Sequence, residues 1–523
     1  MNFAKYGIVN AKKYPEKEYL VEVRPPKQRR SLTWREYNEE TNRVANFLKN
    51  EAGVQKGDFV LHLQLNSLEW VITYHAILRV GAAAVPLNFR FASEDVLHAA
   101  KSCSPKVFIL DERFLPIIEP IRDKMASINF YICIGEQVPE DMILYSNIVK
   151  NGDPTDILVN VDKFDPAALM FTSGTTGPPK SVCQAHDTLY QIGISIALTY
   201  SLGHETIYLN PHAFFHSGSF FLNFAPYLAG GTTLILPDVR DPEFWLRVTC
   251  DEKVNEGQVV VPTMSDLVNA VKEGKIDLND YDLSHLRTMH LGAQPIPTSL
   301  FRDMKELFPF RTGNMYGITE GGGAGSVQLY DEDILTKPGS IGRPTFNVEA
   351  RIVDDNGKDV PLGEVGELIL RSPRVMKEYH ENPEMTANSI KDGWLYTEDL
   401  VWADEQGYIF LADRKKDLII RGGENIFPAE IEDVLQRHPA IADAAVIGYP
   451  HERFVEIAMA IVQLYPGKNL EEKELIEFCT EQKLAKYKWP EKIVFADVVR
   501  NVNGKIDKPK LRKKFIEEQE FAM

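Results

Sequence analysis

Cysteine is scarce in this chain. Its 523 residues hold five (Cys103, Cys133, Cys183, Cys250 and Cys479), odd in number and without a CxxC pair. That excludes a disulfide framework and a cysteine zinc site, and it points to a reducing, cytoplasmic setting. Long apolar runs are also missing. No stretch approaches the roughly 18 residues that a membrane span needs, so no transmembrane segment is expected. The opening MNFAKYGIVNAKKYPEKE is too charged for a secretory signal, and the closing EQEFAM carries no peroxisomal address. Positive charge is in deficit, with Lys+Arg 58 against Asp+Glu 75 and a formal net charge of −17. A nucleic-acid partner would need a basic footprint and is excluded. Anionic substrates would have to be met by local cations against an unfavourable overall field. Internal repeats and low-complexity tracts are absent.

What is present is an ordinary globular composition, 44% hydrophobic and 25% charged. The length exceeds what one hydrophobic core can serve, so at least two domains are expected. From about 31 to 330, helical and strand-like patterns alternate. Trp34 to Asn50 and Glu69 to Arg79 have helical spacing. Phe59 to Gln64, Gly81 to Pro86 and Val107 to Leu110 are strand-like. Such alternation indicates α/β layers with mostly parallel sheets. Near 340 the texture shifts to short strands, Val348 to Val353, Glu367 to Arg371 and Tyr408 to Leu411, with a hairpin signal at Asn356-Gly357. Near 414 comes the charged Arg414-Lys415-Lys416-Asp417, then Gly422-Gly423 and a helix opened by Pro428. The last basic segment, KPKLRKKF at 508 to 515, is expected to be a solvated helix face.

Residues 171 to 180, FTSGTTGPPK, follow the apolar run Ala167 to Met170. A buried strand thus opens into a loop with four hydroxyls (Thr172, Ser173, Thr175, Thr176), flexible Gly174 and Gly177, and the cation Lys180. Such a loop suits the oxygens of a polyphosphate. It resembles a P-loop, but Pro179 stands before the lysine and has no N–H to offer a phosphate.

The segment resembles the phosphate loop of the adenylate-forming superfamily, which includes acyl-CoA synthetases, peptide-synthetase adenylation domains and beetle luciferases. Further motifs carry the resemblance in order. Met315-Tyr316-Gly317-Ile318-Thr319-Glu320 is similar to YGxTE, and Gly292-Ala293-Gln294-Pro295 to the GAxP turn beside adenine. The resemblance implies ATP contacts at Gly292, Ala293, Gln294, Asn314, Met315 and Tyr316, a phosphate contact at Thr319 and Mg2+ at Glu320. It implies that Asp399 binds the ribose hydroxyls. Glu398 stands beside it where glycine is usual, and Ser181 likewise follows the loop lysine in place of glycine. Arg414 would touch ribose or phosphate, Lys416 matches the hinge, and Gly422, Gly423 and Glu424 lie on the loop lining the pantetheine tunnel. Asn503-Gly504-Lys505 supplies the lysine that assists carboxylate attack on the α-phosphate, with Val499-Arg500 where proline usually precedes it. Pro86 to Arg90 and Tyr487-Lys488-Trp489-Pro490 extend the likeness over nearly the whole chain.

The implied fold class is α/β: a large multi-layer α/β N-terminal domain with a small β subdomain, plus a mobile α+β C-terminal domain. The expected bounds are 1–413, with two α/β subdomains and the β subdomain near 335–413, then a hinge at 414–418 and the C-terminal domain at 419–523. The expected activity is an AMP-forming carboxylate–CoA ligase using ATP, Mg2+ and CoA, without a tightly bound cofactor. The oligomeric state is left open, a homodimer included.

His212 to Gly218 matches the substrate-gating segment. Amino-acid-activating relatives carry an aspartate there for the ammonium; Phe215-His216-Ser217 offers none, and an unpaired buried ammonium is costly. His216 is then a pocket-wall and catalytic-site residue, joined in the acyl pocket by Phe215, Gly292, Gly317 and Ile318. Acetate-specific relatives have tryptophan at the Gly317 position, so glycine, with Gly321-Gly322-Gly323, is expected to leave room for an apolar acid larger than propionate, fatty or aromatic. The alternatives are transfer to a carrier-protein pantetheine, a luciferase-like oxygenase, a P-loop-like kinase or NTPase, and a nucleotide sensor without turnover.

Overall fold

The computed structural model describes every residue except 173–178, 238–240, 293–295, 297, 324, 423, 501–505 and 518–523. Two compact units emerge, one of Met1–Ala350 with Leu370–Leu395, the other of Arg351–Ile369 with Tyr396–Met523. Residues 351–369 and 396–413, grouped above with the large domain, therefore cluster with the C-terminal segment. The cause is local pairing: Asp399 stands opposite Arg414 in an antiparallel ladder, and Lys415 Nζ meets Asp355 at 2.6 Å and Glu367 at 3.3 Å.

The first unit contains two sheets. In one, the parallel strands Pro166–Thr172, Ala83–Pro86, Phe59–Leu63, Val107–Asp111, Phe130–Ile134 and Ile143–Leu144 lie side by side. Lys180–Ala185 folds back antiparallel on Pro166–Thr172, and Glu378–Tyr379 pairs antiparallel beyond it. In the other, Arg311–Tyr316, Thr288–Gly292, Glu256–Gln258, Ile207–Asn210, Thr232–Ile235 and Glu18–Arg24 run parallel. Crossovers between parallel strands need helices, and the sequence supplies them. The Trp34–Asn50 helix spans the expected residues and opens with a reciprocal cap: Glu36 N–H donates to Thr33 Oγ1 at 3.2 Å, and Thr33 N–H to Glu36 Oε2 at 2.8 Å. Its Trp34 stacks on Tyr19 at 3.8 Å in an aromatic core with Tyr37 and Tyr227.

In the second unit, Ile441–His451 and Val455–Leu464 form a long hairpin, extended by Ile419–Arg421, Glu424–Ile426 and Lys492–Phe495. Its residues alternate between two cores. Ala444, Val446, Ala458 and Ala460 meet Ile431, Leu435 and Leu475 on one face; Ala445, Ile447, Met459 and Ile461 meet Leu511 and Phe515 on the other. The C-terminal basic segment is therefore only partly a solvated face. Lys508 is 8% exposed and pairs with Glu432 at 3.0 Å, because Leu511 and Phe515 turn that side of the helix onto the sheet.

Candidate active site

The hairpin Pro166–Thr172/Lys180–Ala185 sets the first group. Ala167 to Met170 are buried, and the ladder places Thr172 opposite Lys180. Residues Ser173, Gly174, Thr175, Thr176 and Gly177 lie outside the described residues. Tyr379 stands opposite Val182. Directly opposed residues of antiparallel strands share a face, as do every second residue along one strand. Thr172, Lys180, Val182, Gln184 and Tyr379 thus project to one side. Lys180 Nζ sits 5.5 Å from the Tyr379 ring centroid.

The second group follows the Arg311–Tyr316 strand. Ile318 leads into a single turn, Thr319–Gly321, closed by Gly322 N–H to Thr319 O at 3.1 Å and Gly323 N–H to Ile318 O at 2.9 Å. The turn is bound to the hairpin side. Gln184 Nε2 donates to Thr319 O at 2.9 Å, Met376 N–H to Glu320 O at 2.7 Å, and Tyr379 Oη to Glu320 Oε1 at 2.8 Å. Thr319 Oγ1 lies 2.8 Å from Ser217 Oγ. Neighbouring His216 accepts Gly218 N–H on Nδ1 at 3.1 Å. Phe215 meets the Phe89 ring edge-on at 5.1 Å. Burial pushes the His212 imidazole down to about 4, so it is neutral.

Gly322 and Gly323 do not add room. Gly322 has φ +87°, and a Cβ there would stand 2.7 Å from Arg374 O; one on Gly323 would stand 2.7 Å from Ser217 O. They are the close approach of loop to neighbours. Arg374 holds this loop from inside: fully buried, it donates to Gly325 O at 2.8 Å, Gly322 O at 3.4 Å and Ser195 Oγ at 3.3 Å. Burial pulls its guanidinium down to about 10, which still leaves it charged near neutrality.

At the carboxyl ends of two parallel strands, where α/β sheets bind ligands, Gly292 pairs with Met315. A Cβ on Gly292 would lie 2.5 Å from Met315 O, so the site demands glycine. Asn314 Nδ2 reaches Ser340 O at 3.4 Å, and Tyr316 O accepts Ser326 N–H at 3.0 Å. Beneath them, buried His290 bonds Glu256 at 2.8 Å and stacks on Tyr200 at 3.8 Å. Ala293 and Gln294 lie outside the described residues.

The second unit carries its own candidates. Asp399, 3% exposed at its side chain, pairs with Arg414 at 2.9 Å. Glu398 adopts φ +61°, the left-handed conformation that glycine takes freely, and its N–H donates to Glu367 Oε1 at 3.0 Å. The unusual glutamate therefore keeps a glycine-type turn. Lys416 lies in the turn Lys415–Asp417. Just before it, Asp413 accepts Ala429 N–H at 2.8 Å, and burial pushes its carboxyl up despite nearby Lys508. Gly422, at φ +56°, donates to Phe454 O at 2.7 Å, and Glu424 opens the exposed end of Glu424–Ile426. Gly423 and Lys505 lie outside the described residues.

The structure thus joins Thr172, Lys180, Thr319, Glu320 and the His216 segment in the first unit, and Asp399 with Arg414 in the second. Tyr379, Gln184 and Arg374 went unread in the sequence. Nothing local marks them, since their side-chain partners lie 49 to 199 residues away.

Residues 9–380 match the family model described as AMP-binding enzyme, and residues 430–505 that of the AMP-binding enzyme C-terminal domain. The chain is 32% identical over 486 residues to the long-chain-fatty-acid–CoA ligase FadD13 of Mycobacterium tuberculosis, covering 92% of this chain and 93% of that protein. It is 33% identical over 487 residues to a feruloyl-CoA synthase of Amycolatopsis, covering 93% and 94%. The crystal structure of the anthranilate CoA ligase AuaEII in complex with anthranoyl-AMP superposes with a TM-score of 0.89 at 28% identity, covering 100% of this chain and 98% of that one. The chain therefore belongs to the AMP-binding enzyme family and is an adenylate-forming acyl-CoA ligase.

Proposed function

We propose that the enzyme activates an apolar carboxylic acid larger than propionate and transfers it to CoA. The observation that carries this reading is the clustering of Lys180, Glu320, Thr319 and Thr172 at the ends of buried strands. Cations and hydroxyls there neutralise a polyphosphate, and positioning plus charge stabilisation is what phosphoryl chemistry needs. Glu320 and Thr319 are hard oxygen donors that suit Mg2+. Among the described residues no group of three or more His, Cys, Asp or Glu could hold a metal. A magnesium ion in nucleotide sites is commonly held by one or two carboxylates together with substrate phosphates. When bound, the ion would neutralise phosphate charge.

In the first step a carboxylate oxygen bonds to the α-phosphorus of ATP as the bond to pyrophosphate breaks. In the second the CoA sulfur bonds to the acyl carbon, AMP leaves and the thiol proton passes to solvent. We assign phosphate binding to Thr172, Ser173, Gly174, Thr175, Thr176, Gly177, Lys180 and Thr319. Adenine binding falls to Gly292, Ala293, Gln294, Asn314, Met315 and Tyr316, the ribose diol to Asp399, and a ribose or phosphate contact to Arg414. Lys505 assists the first attack with its long side chain. Rotation about 414–418 at Lys416 then brings Gly422, Gly423 and Glu424 to the pantetheine path. Phe215, His216, Gly317 and Ile318 line the acyl pocket. The lack of an acid in Phe215-His216-Ser217 supports an apolar substrate, and the relatives named above act on long-chain fatty acids, ferulate and anthranilate. Five free cysteines support a cytoplasmic setting.

The test is a product assay with ATP, Mg2+ and CoA against acids from acetate through long chains to benzoate, cinnamate and amino acids. AMP and a thioester with one apolar class are expected. Turnover with acetate alone refutes the size assignment. AMP without thioester moves the acceptor to a carrier-protein pantetheine, and ADP refutes the adenylation chemistry.

A further inference from the structure

Tyr379 touches both charged groups of the phosphate cluster at once. Its ring lies under Lys180 at 5.5 Å, and its hydroxyl donates to Glu320 Oε1 at 2.8 Å. Tyr379 itself is 5% exposed, while Lys180 and Glu320 are half-buried. Its backbone is fixed without help from the side chain: it pairs with Val182, and its N–H donates to Thr386 Oγ1 at 3.0 Å. The neighbouring Met376 N–H grips the Glu320 carbonyl at 2.7 Å. One short strand, Glu378–Tyr379, therefore spans from the strand after the phosphate loop to the turn carrying Glu320.

We infer that Tyr379 is a positioning residue that orients the Glu320 carboxylate toward the metal–phosphate while its ring steadies Lys180. The inference rests on the assignment of Glu320 and Lys180 to the metal and phosphates of ATP. A carboxylate with one oxygen held by a phenol has a fixed orientation, so the other is presented to the cation without an entropic search. The ring attracts the ammonium without neutralising it, which leaves the charge available to phosphate.

Two variants of the full-length enzyme separate the contacts. Tyr379→Phe keeps the ring and deletes the hydroxyl; Tyr379→Leu deletes both. Mn2+ would stand in for Mg2+ and be titrated into enzyme saturated with a non-hydrolysable ATP analogue, with water-proton relaxation reading the bound metal. Calorimetry would read analogue binding without metal. Tyr379→Phe is expected to weaken Mn2+ binding about tenfold, the effect of one hydrogen bond to a charged group, and to leave metal-free binding unchanged. In a Glu320→Gln background it should add nothing further, because the hydroxyl acts through that carboxylate. Tyr379→Leu should weaken metal-free binding as well. Wild-type Mn2+ affinity in Tyr379→Phe overturns the inference, as does an equal loss with and without metal. A wild-type enzyme whose ATP affinity gains nothing from metal, or that makes no AMP, overturns the functional assignment instead, whatever the variants do.

Discussion

Two antiparallel strand pairs carry charged groups of the candidate machinery, and they place them by opposite means. In the first unit, Pro166–Thr172 and Lys180–Ala185 pair regularly from Ala168 to the loop, so that Thr172 and Lys180 face each other, and the register shift of this ladder lies at its far end, between Pro166 and Ala168. In the second unit, the ladder of Trp394–Ala403 with Ile409–Arg414 shifts between Leu400 and Val401, and Glu398 just before Asp399 is left-handed. Regular pairing suffices to bring a lysine to the end of a buried strand. Turning Asp399 inward, buried and paired with Arg414, takes an irregular backbone. The first pair stores little strain and should be sensitive to chemistry. The second stores some and should be sensitive to backbone substitution.

The contrast can be broken most severely at Lys180. Lys180→Ala removes the cation proposed to meet the phosphates, so acyl-adenylate formation should fall by about a hundredfold or more with the melting temperature unchanged. Pyrophosphate release and a thermal scan check this, and a parallel loss of stability would mean the lysine serves the fold instead. Gly322→Ala should act the other way round. At φ +87°, with Arg374 O only 2.7 Å from the new Cβ, it should cost about 2–3 kcal/mol of folding stability, measured by denaturant unfolding. Asp399→Asn keeps the shape and halves the diol-binding capacity, so the KM for ATP should rise about tenfold with kcat little changed; a kcat-only loss would remove the ribose role. The smallest expected effect sharpens the contrast most directly. Glu398→Gly should raise stability by about 1 kcal/mol, because glycine takes φ +61° without strain and the N–H bond to Glu367 is kept. Destabilisation there would show that the glutamate side chain is what holds the turn.

How much could be read before folding follows from the range of each signal. Periodicity and caps are local, so the Trp34–Asn50 helix came out of the sequence residue for residue, and the strands near 59, 83 and 107 to within two residues. The hairpin signal at Asn356-Gly357 corresponds to a turn in which Gly357 N–H bonds Asp354 O at 3.0 Å. The contiguous motifs likewise offered Thr172 and Lys180 as candidates from the composition of a polar loop after a buried strand, and Thr319, Glu320, Asp399 and Arg414 through their resemblance to the family's motifs. The purpose of Gly322 and Gly323 could not be read that way: the same glycines that look like empty space are close packing once Arg374 and Ser217 come in from elsewhere in the chain. Lys508 looked solvated until Glu432 was beside it.

By itself, then, the sequence determined the element types and the α/β class, since each depends on residues within a few turns of one another, and its resemblance to the family's motifs singled out the charged candidates. Tertiary structure alone decided which of those groups meet. Lys180 and Glu320 are 140 positions apart in the chain, and they share Tyr379 only because a short strand from yet another segment pairs beside Lys180–Ala185. Strand pairing of that kind is set by the burial of whole sheets, a collective balance that no local pattern of side chains records.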